Sequence, residues 1–298
     1  MSASDQSGTV IAIFGPTASG KTAVAEAIAK VAPAEIISAD SMQVYEGLPI
    51  LTNQPSRPSA LVAIRPLDHD GSVADYQRLA HRAIDDALAA GRTPVVVGGT
   101  GLYLRAALAE LELPPAPEPG ARERFERLYD RIGPDLAHAA LAERDAAAAH
   151  AIHANDRRRV VRALELHEAG GSLAPPRDRL WSEETRHPTL IFGLEVPKPI
   201  LEERILGRTH EMFRQGVEDE VAGALRAPIS KTASQIIGLR EVSALPRDEA
   251  IDAIVLRTRR YAAYQRKWMR RIPSIRPVSA HRTADETAAE ILTAAHLA

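Results

Sequence analysis

The stretch Thr9-Val-Ile-Ala-Ile-Phe14-Gly15-Pro-Thr-Ala-Ser-Gly20-Lys21-Thr22 decides the fold. Its first six residues form an apolar, β-branched run of strand length, closed by the turn formers Gly15 and Pro16. Thr22 to Lys30 has helical composition, so the two segments read as a βα unit. Between them, Gly15 to Thr22 fits the pattern GxxxxGK[ST] of a P-loop, in the strand-loop-helix context its mechanism requires. Backbone N–H groups of such a loop cradle phosphate oxygens, the lysine adds a point charge, and the hydroxyl of Thr22 can hold Mg²⁺. Gly15, Pro16, Thr17, Ala18, Ser19, Gly20, Lys21 and Thr22 are therefore the expected diphosphate-binding set. A chance glycine turn is the bland alternative, and the placement argues against it.

The pattern repeats outward from this unit. Glu35-Ile-Ile-Ser38 is a second buried strand that ends in Ala39-Asp40, and a loop with Gly47 and Pro49 follows. A helix from about Val73 to Ala90 stops at Gly91, and Pro94-Val-Val-Val97 is a third strand ending in Gly98-Gly99. Strands alternating with helices imply a parallel sheet, whose ligands gather at the carboxyl ends of the strands. Gly15, Asp40 and Gly98 to Gly101 all fall there. The run Pro114-Pro-Ala-Pro-Glu-Pro119 is stiff enough to be a boundary, and Arg- and Ala-rich helices extend beyond it to about Gly170. After a loop around Pro175-Pro176, Thr189 to Val196 reads as a strand returning to the sheet. The expected architecture is an α/β, P-loop NTPase-like parallel-sheet core at 1–118 and 188–298, with a helical insertion at 119–187.

Composition narrows the chemistry. The 298 residues contain no cysteine, which excludes disulfides, thiolate metal sites and a cysteine nucleophile. No apolar run is long enough to cross a bilayer, and Met1 to Gly8 shows no signal-peptide pattern, so the cytoplasm is the expected compartment. The histidines lack ligand spacing, and no zinc site is expected. A net charge of −2 hides an asymmetry: Ala253 to Ala284 holds no acidic residue but nine arginines and lysines, so the chain can carry a basic face. Tyr261, Tyr264 and Trp268 in this segment follow helical spacing and read as a core stripe. Arg240 suits a phosphate contact or an ion pair equally.

A P-loop ATPase or GTPase usually carries an acidic residue at the end of a later strand. Here Val95-Val-Val97 runs into Gly-Gly-Thr-Gly101 instead, and the carboxylate at a strand end is Asp40. Asp40 could serve a metal, a cap, or a general base. Its surroundings favour the last. Gly15 to Thr22, Ile36-Ile-Ser-Ala-Asp40-Ser-Met-Gln43-Val-Tyr45 and Val97-Gly-Gly-Thr100-Gly-Leu-Tyr103 resemble the tRNA dimethylallyltransferases, also called tRNA isopentenyltransferases. So do Asn155 to Glu165, Gln235 to Glu241, and Thr258 to Trp268, and the resemblance spans nearly the whole chain. The chain departs from the family at Met42 (usually Arg), Leu51-Thr-Asn-Gln-Pro55 (usually Gly-Thr-Ala-Lys-Pro), Ile64 to Asp68 (usually His-His-Leu-Ile-Asp) and Leu239 (often Tyr).

The resemblance implies transfer of the dimethylallyl group of dimethylallyl diphosphate to N6 of the adenosine 3′-adjacent to the tRNA anticodon. Lys21, Thr22 and Mg²⁺ would stabilise departing pyrophosphate, Asp40 would take the amine proton, and Thr100 would hold the adenine. Asp40, Ser41, Met42, Gln43 and Thr100 would face the flipped base, with Gln43 reading a base edge or propping the vacated position. Arg122, Arg158, Arg159, Val160, Val161 and Arg162 would bind tRNA from the insertion, on a helix capped by Asn155. Arg124 is an even choice, since basic runs are usually solvated faces. A monomer is favoured. The rivals are a P-loop small-molecule or nucleoside kinase, an adenylate isopentenyltransferase acting on free nucleotides, and a non-catalytic RNA-binding protein with a relic P-loop. The missing strand-end acid opposes the first, the Arg-rich insertion the second, and the conjunction of Lys21, Thr22 and Asp40 the third.

Overall fold

The computed structural model describes residues 8–113, 118, 120–174 and 179–296; the prolines at 114–119 and 175–176 lie outside them. Five strands, β1 (Val10–Phe14), β2 (Ala34–Ser38), β3 (Thr93–Gly98), β4 (Thr189–Glu195) and β5 (Arg276–Ser279), form one sheet in the order β2-β3-β1-β4-β5. Every pairing is parallel. β1 lies at the centre with all five residues buried, which is why it reads as an uninterrupted apolar run. Full burial of Ile11 and Ile13 is worth roughly 2 kcal/mol each. β5 is the strand that the sequence reading missed. It sits at the sheet edge, contains Pro277, and buries only Val278, so it shows neither alternation nor an apolar run.

The chain forms two compact units, one of Met1–Glu110 with Leu180–Ala298, the other Leu111–Arg179. The second begins and ends earlier in the chain than the expected 119–187. In the first unit, α1 (Lys21–Val31) follows β1, and α2 (Val73–Ala89) is capped by Ser72, whose hydroxyl accepts from the Asp75 N–H. Tyr76, Ala80, Ile84 and Ala87 form its buried face at helical spacing. α3 (Gly101–Leu108) follows β3 directly.

The second unit holds α4 (Ala121–Ile132), α5 (Pro134–Arg144), α6 (Ala146–Ala151) and α7 (Arg157–Glu168) around a core that includes Tyr129, Leu141, Ile152, Val160, Val161 and Leu164. Asp156 caps α7 by accepting from the Arg159 N–H at 3.1 Å, a role expected of Asn155. Val160 and Val161, expected to touch tRNA, are both buried, which denies their side chains to an RNA surface.

The first unit closes with α8 (Lys198–Arg214), α9 (Val217–Ala224), α10 (Leu239–Ala244), α11 (Arg247–Met269) and α12 (Ala284–Ala294). α8 and α11 supply walls of the site described next. No helix among the described residues is long and apolar enough to cross a membrane.

Candidate active site

The sheet register brings three strand ends level: Phe14 lies beside Gly98, and Ser38 beside Val97. The loops that follow each strand therefore converge. A Cβ on Gly98 would come within 2.1 Å of the Ala39 carbonyl, so only glycine lets the ends of β2 and β3 approach this closely. The result sets Asp40 and Ser41 against Thr100, with the Ser41 N–H and hydroxyl each 3.4 Å from Thr100 Oγ1. The Gly-Gly-Thr-Gly sequence is thus a close-approach turn.

Behind this turn stands Gln265 of α11. It is buried, its Oε1 accepts from the Thr17 N–H at 2.7 Å, and its Nε2 donates to the Gly99 carbonyl at 2.9 Å. One amide therefore braces the P-loop against the β3 turn. The Thr17 N–H, expected to serve a phosphate, is already engaged, and the Ser19 N–H donates to the Pro16 carbonyl. Gly20, Lys21 and Thr22 line the cavity at the start of α1, where the first-turn N–H groups have no intrahelical acceptor and can meet an anion.

A cavity of about 420 Å³ opens from this point, with Lys21, Thr22, Asp40 and Arg208 on its wall. Lys21 Nζ donates to the Pro16 carbonyl at 2.8 Å. Burial pushes the amine down to about 8; the Asp40 carboxylate opposes the fall and the Arg208 guanidinium adds to it. Burial lowers Arg208 as well, against the pull of Asp40. Its Nε is shut off from solvent without a hydrogen-bond partner. A guanidinium with an unpartnered, shielded Nε beside the Lys21 amine makes this part of the cavity suited to an anion.

The Asp40 carboxylate is oriented by accepting from the Met42 N–H at 3.0 Å. Hydroxyls stand near the Asp40 carboxylate. Tyr261 of α11 lies 3.2 Å from Thr100 Oγ1. Burial first, and the Asp40 charge second, hold its hydroxyl well above the usual tyrosine range. Burial, Tyr45 and then Asp40 push Tyr103 up to about 12. Both remain neutral donors at physiological pH. The cavity wall also carries apolar side chains, among them Met42, Leu51, Met212, Ile236 and Ile254, interspersed with polar ones such as Thr52, Asn53 and Thr258.

Gln43 also lines the cavity, but its amide is spent: Oε1 accepts from the Ser38 hydroxyl at 2.9 Å, and Nε2 donates to the Asn53 carbonyl at 2.8 Å. It braces the loop over the cavity, and reading a base edge would require giving up those bonds. On the second unit, Arg122 and Arg162 both hold the buried carboxylate of Glu165, at 2.8 and 3.1 Å. Arg124 pairs with Glu168, and Arg159 lies 3.6 Å from Asp156. Arg158 is exposed on α7.

The C-terminal basic segment also has partners that lie outside it. Arg257 pairs with Glu241 at 2.8 Å, Arg282 with Glu290, and Arg271 stacks 3.8 Å from the Trp181 ring centroid. Arg240 is exposed. Tyr264, expected in a core stripe, is 55% exposed because the stripe on α11 continues through Thr258, Ala262 and Gln265 instead.

The model of the IPP transferase family matches residues 43–272, and that of the isopentenyl transferases matches residues 8–63. The chain belongs to the IPP transferase family. Among curated members, the tRNA dimethylallyltransferase of Thermobifida fusca is 41% identical over 90% of this chain and 88% of its own length. That of Streptomyces avermitilis is 39% identical over 92% and 91%. A crystal structure of a tRNA isopentenylpyrophosphate transferase from Bacillus halodurans superposes with a TM-score of 0.69 at 32% identity, covering 96% of this chain and 94% of that one. The family assignment and the P-loop-type α/β core expected from the motifs are both borne out. Arg208 and Gln265 of this family member escaped the sequence reading. The one signal for Arg208 was spacing: Arg204, Arg208 and Met212 recur every four residues on α8 and all face the cavity.

Proposed function

We propose that the chain transfers the dimethylallyl group of dimethylallyl diphosphate to N6 of the adenosine 3′-adjacent to the tRNA anticodon, releasing pyrophosphate. One observation carries the reading: Lys21 and Arg208, a single carboxylate and apolar side chains share one cavity. Cations suit the diphosphate, the apolar side chains suit the prenyl chain, and Asp40 shares their cavity while its neighbour Ser41 meets Thr100. As the N6 lone pair attacks C1 of the donor, the C1–O bond breaks, and its electrons leave with pyrophosphate. Lys21, Arg208 and the α1 N-terminus meet that growing charge. Asp40, within about 3 Å of the amine, takes the proton that N6 sheds. Thr100, backed by Tyr261, holds the adenine from the far side.

Mg²⁺ fits the donor set. Thr22 would supply a hydroxyl oxygen on the same cavity as the diphosphate, and Mg²⁺ characteristically keeps several waters and binds substrate phosphates beside few protein ligands. When bound it would further neutralise the leaving group.

The target base must leave its stack to reach the sheet end, so the anticodon loop needs a grip on its phosphates. Arg158 is the residue of α7 best placed to provide it, and Arg159 can join it by releasing Asp156. Such a substrate puts the enzyme in the cytoplasm, where it would act as a monomer. Purified protein with labelled dimethylallyl diphosphate, Mg²⁺ and tRNA, AMP, or ATP plus candidate acceptors provides the test. Label entering tRNA is expected; prenylated AMP alone, or ATP consumption alone, would overturn the reading.

A further inference from the structure

A cluster of flat side chains is built against the Thr100 turn. A Cβ on Gly101 would come within 2.2 Å of Trp268 Cε3, so the glycine after Thr100 lets the indole lie against the turn. Trp181 packs on Trp268 with ring centroids 4.8 Å apart, and the Arg271 guanidinium lies 3.8 Å from the Trp181 centroid. Tyr264 meets Trp268 edge-on at 6.4 Å. Both tryptophans are partly buried, whereas Tyr264 leaves 55% of its surface in water, more than its one ring contact accounts for.

Its place on α11 ties this exposed ring to the candidate active site. Tyr261, whose hydroxyl is 3.2 Å from Thr100 Oγ1, precedes Tyr264 by three residues, so the two rings share one helix face about 5 Å apart along the axis. Arg260 and Lys267, four residues before Tyr264 and three after it, are exposed on that same face, in a stretch from Ala253 to Ala284 that holds no acid. An aromatic ring with a cation one helical turn to either side matches one nucleotide of a single strand, a base between two phosphates. The reaction supplies such a base. An adenosine that leaves its stack uncovers one face of each neighbour, and a flat ring at the same turn can cover it. Resting on the tRNA prenyl-transfer reading above, we infer that Tyr264 is the stacking platform for a base next to the extruded adenosine, with Arg260 and Lys267 on the flanking phosphates. Every base offers a flat face, so the platform adds affinity without choosing among sequences.

The experiment measures tRNA binding and turnover in the wild type, Tyr264→Leu, Tyr264→Phe and Arg260→Ala. Tyr264→Leu keeps hydrocarbon bulk beside Trp268 but has no flat face. It should raise the Kd and KM for tRNA about tenfold, the scale of losing one stacked base, with kcat and the melting temperature held. Tyr264→Phe returns the ring and should recover most of that loss. Salt separates stacking from charge: the slope of log affinity against log salt should match the wild type in Tyr264→Leu and fall by about one in Arg260→Ala. Wild-type affinity in Tyr264→Leu, or equal losses in Tyr264→Leu and Tyr264→Phe, overturns the platform. Should Tyr264→Leu not fold, Tyr264→Gln takes its place, since the position is exposed. A direct readout uses an anticodon stem-loop with 2-aminopurine on each side of the target adenosine in turn. At saturation, emission from one of the two positions should be more quenched on the wild type than on Tyr264→Leu, and equal emission at both overturns the inference. A wild type that prenylates tRNA while these readouts stay unmoved removes only the platform. A wild type that neither binds nor prenylates tRNA removes the prenyl-transfer reading as well.

Discussion

The phosphate end of the cavity and the arginine-rich face of α7 are both basic in sequence, yet they spend their charge differently. In the cavity, Lys21 and Arg208 share Asp40 as the carboxylate that acts on both, and Arg208 Nε has no partner at all. Around α7, Arg122 and Arg162 are committed to Glu165, Arg157 to Asp130, and Arg159 stands near Asp156. Two cations that share one carboxylate leave positive charge over for an anion; a cation paired on a helix face has already spent its charge. The number of positive charges is therefore a poor guide to where a polyanion binds.

The sharpest way to break this contrast is to remove the unmatched cation. Arg208→Ala is expected to lower kcat/KM for the allylic diphosphate by about 10²–10³-fold, the scale of losing one preorganised electrostatic contact to a developing anion. Steady-state kinetics with varied donor checks it, and a change under threefold would show that Arg208 faces no phosphate. Next in size is the carboxylate. Asp40→Asn should cut turnover by about 10²-fold or more while tRNA binding persists, as expected for the loss of a general base. Parallel loss of tRNA affinity would recast Asp40 as a binding residue.

A third test uses protons. Lys21 titrates near 8 in the empty protein because burial disfavours its charge, and a bound diphosphate restores that charge. Pyrophosphate affinity should therefore be full below pH 8 and fall about tenfold per unit above it, with proton uptake on binding. Calorimetry between pH 7 and pH 9.5 in buffers of different ionisation heat measures both. A flat affinity would mean that the lysine stays charged in the empty site.

How much of this was legible beforehand follows from the distance over which each feature is encoded. The P-loop is local: eight consecutive residues specify the turn and the helix start, and α1 begins at Lys21 within that run. The other four strands were readable because each contains a buried apolar run, whereas β5, with Pro277 on an exposed edge, has no pattern to read. Asp40 could be ranked by its place at a strand end. Arg208 could not, because its meaning depends on α8 crossing to the far side of the P-loop. The same non-locality hid Gln265, which meets Thr17 across 248 positions, and Glu165, which claims Arg122 from 43 positions away. The side chains of Val160 and Val161 are buried because arginine neighbours do not define a whole surface, and a helix turns every third or fourth residue to the same face.

The smallest expected effects lie on α7 itself, and they test the contrast from within one helix. Arg158 and Arg162 are four residues apart, but Arg158 is exposed while Arg162 donates to the buried Glu165 carboxylate at 3.1 Å. Arg158→Ala should weaken tRNA binding a few-fold, reduce the slope of log affinity against log salt by about one, and leave the melting temperature unchanged. Arg162→Ala should do the reverse. It removes a charge-assisted bond from a buried carboxylate, destabilising the protein by about 1.5 kcal/mol, with no change of salt slope. Salt-dependent binding and thermal melts on both variants separate the two roles. If Arg162→Ala changes the salt slope and Arg158→Ala does not, then the ion pair opens on binding, and the arginine that holds the helix together is also the one that reaches the RNA.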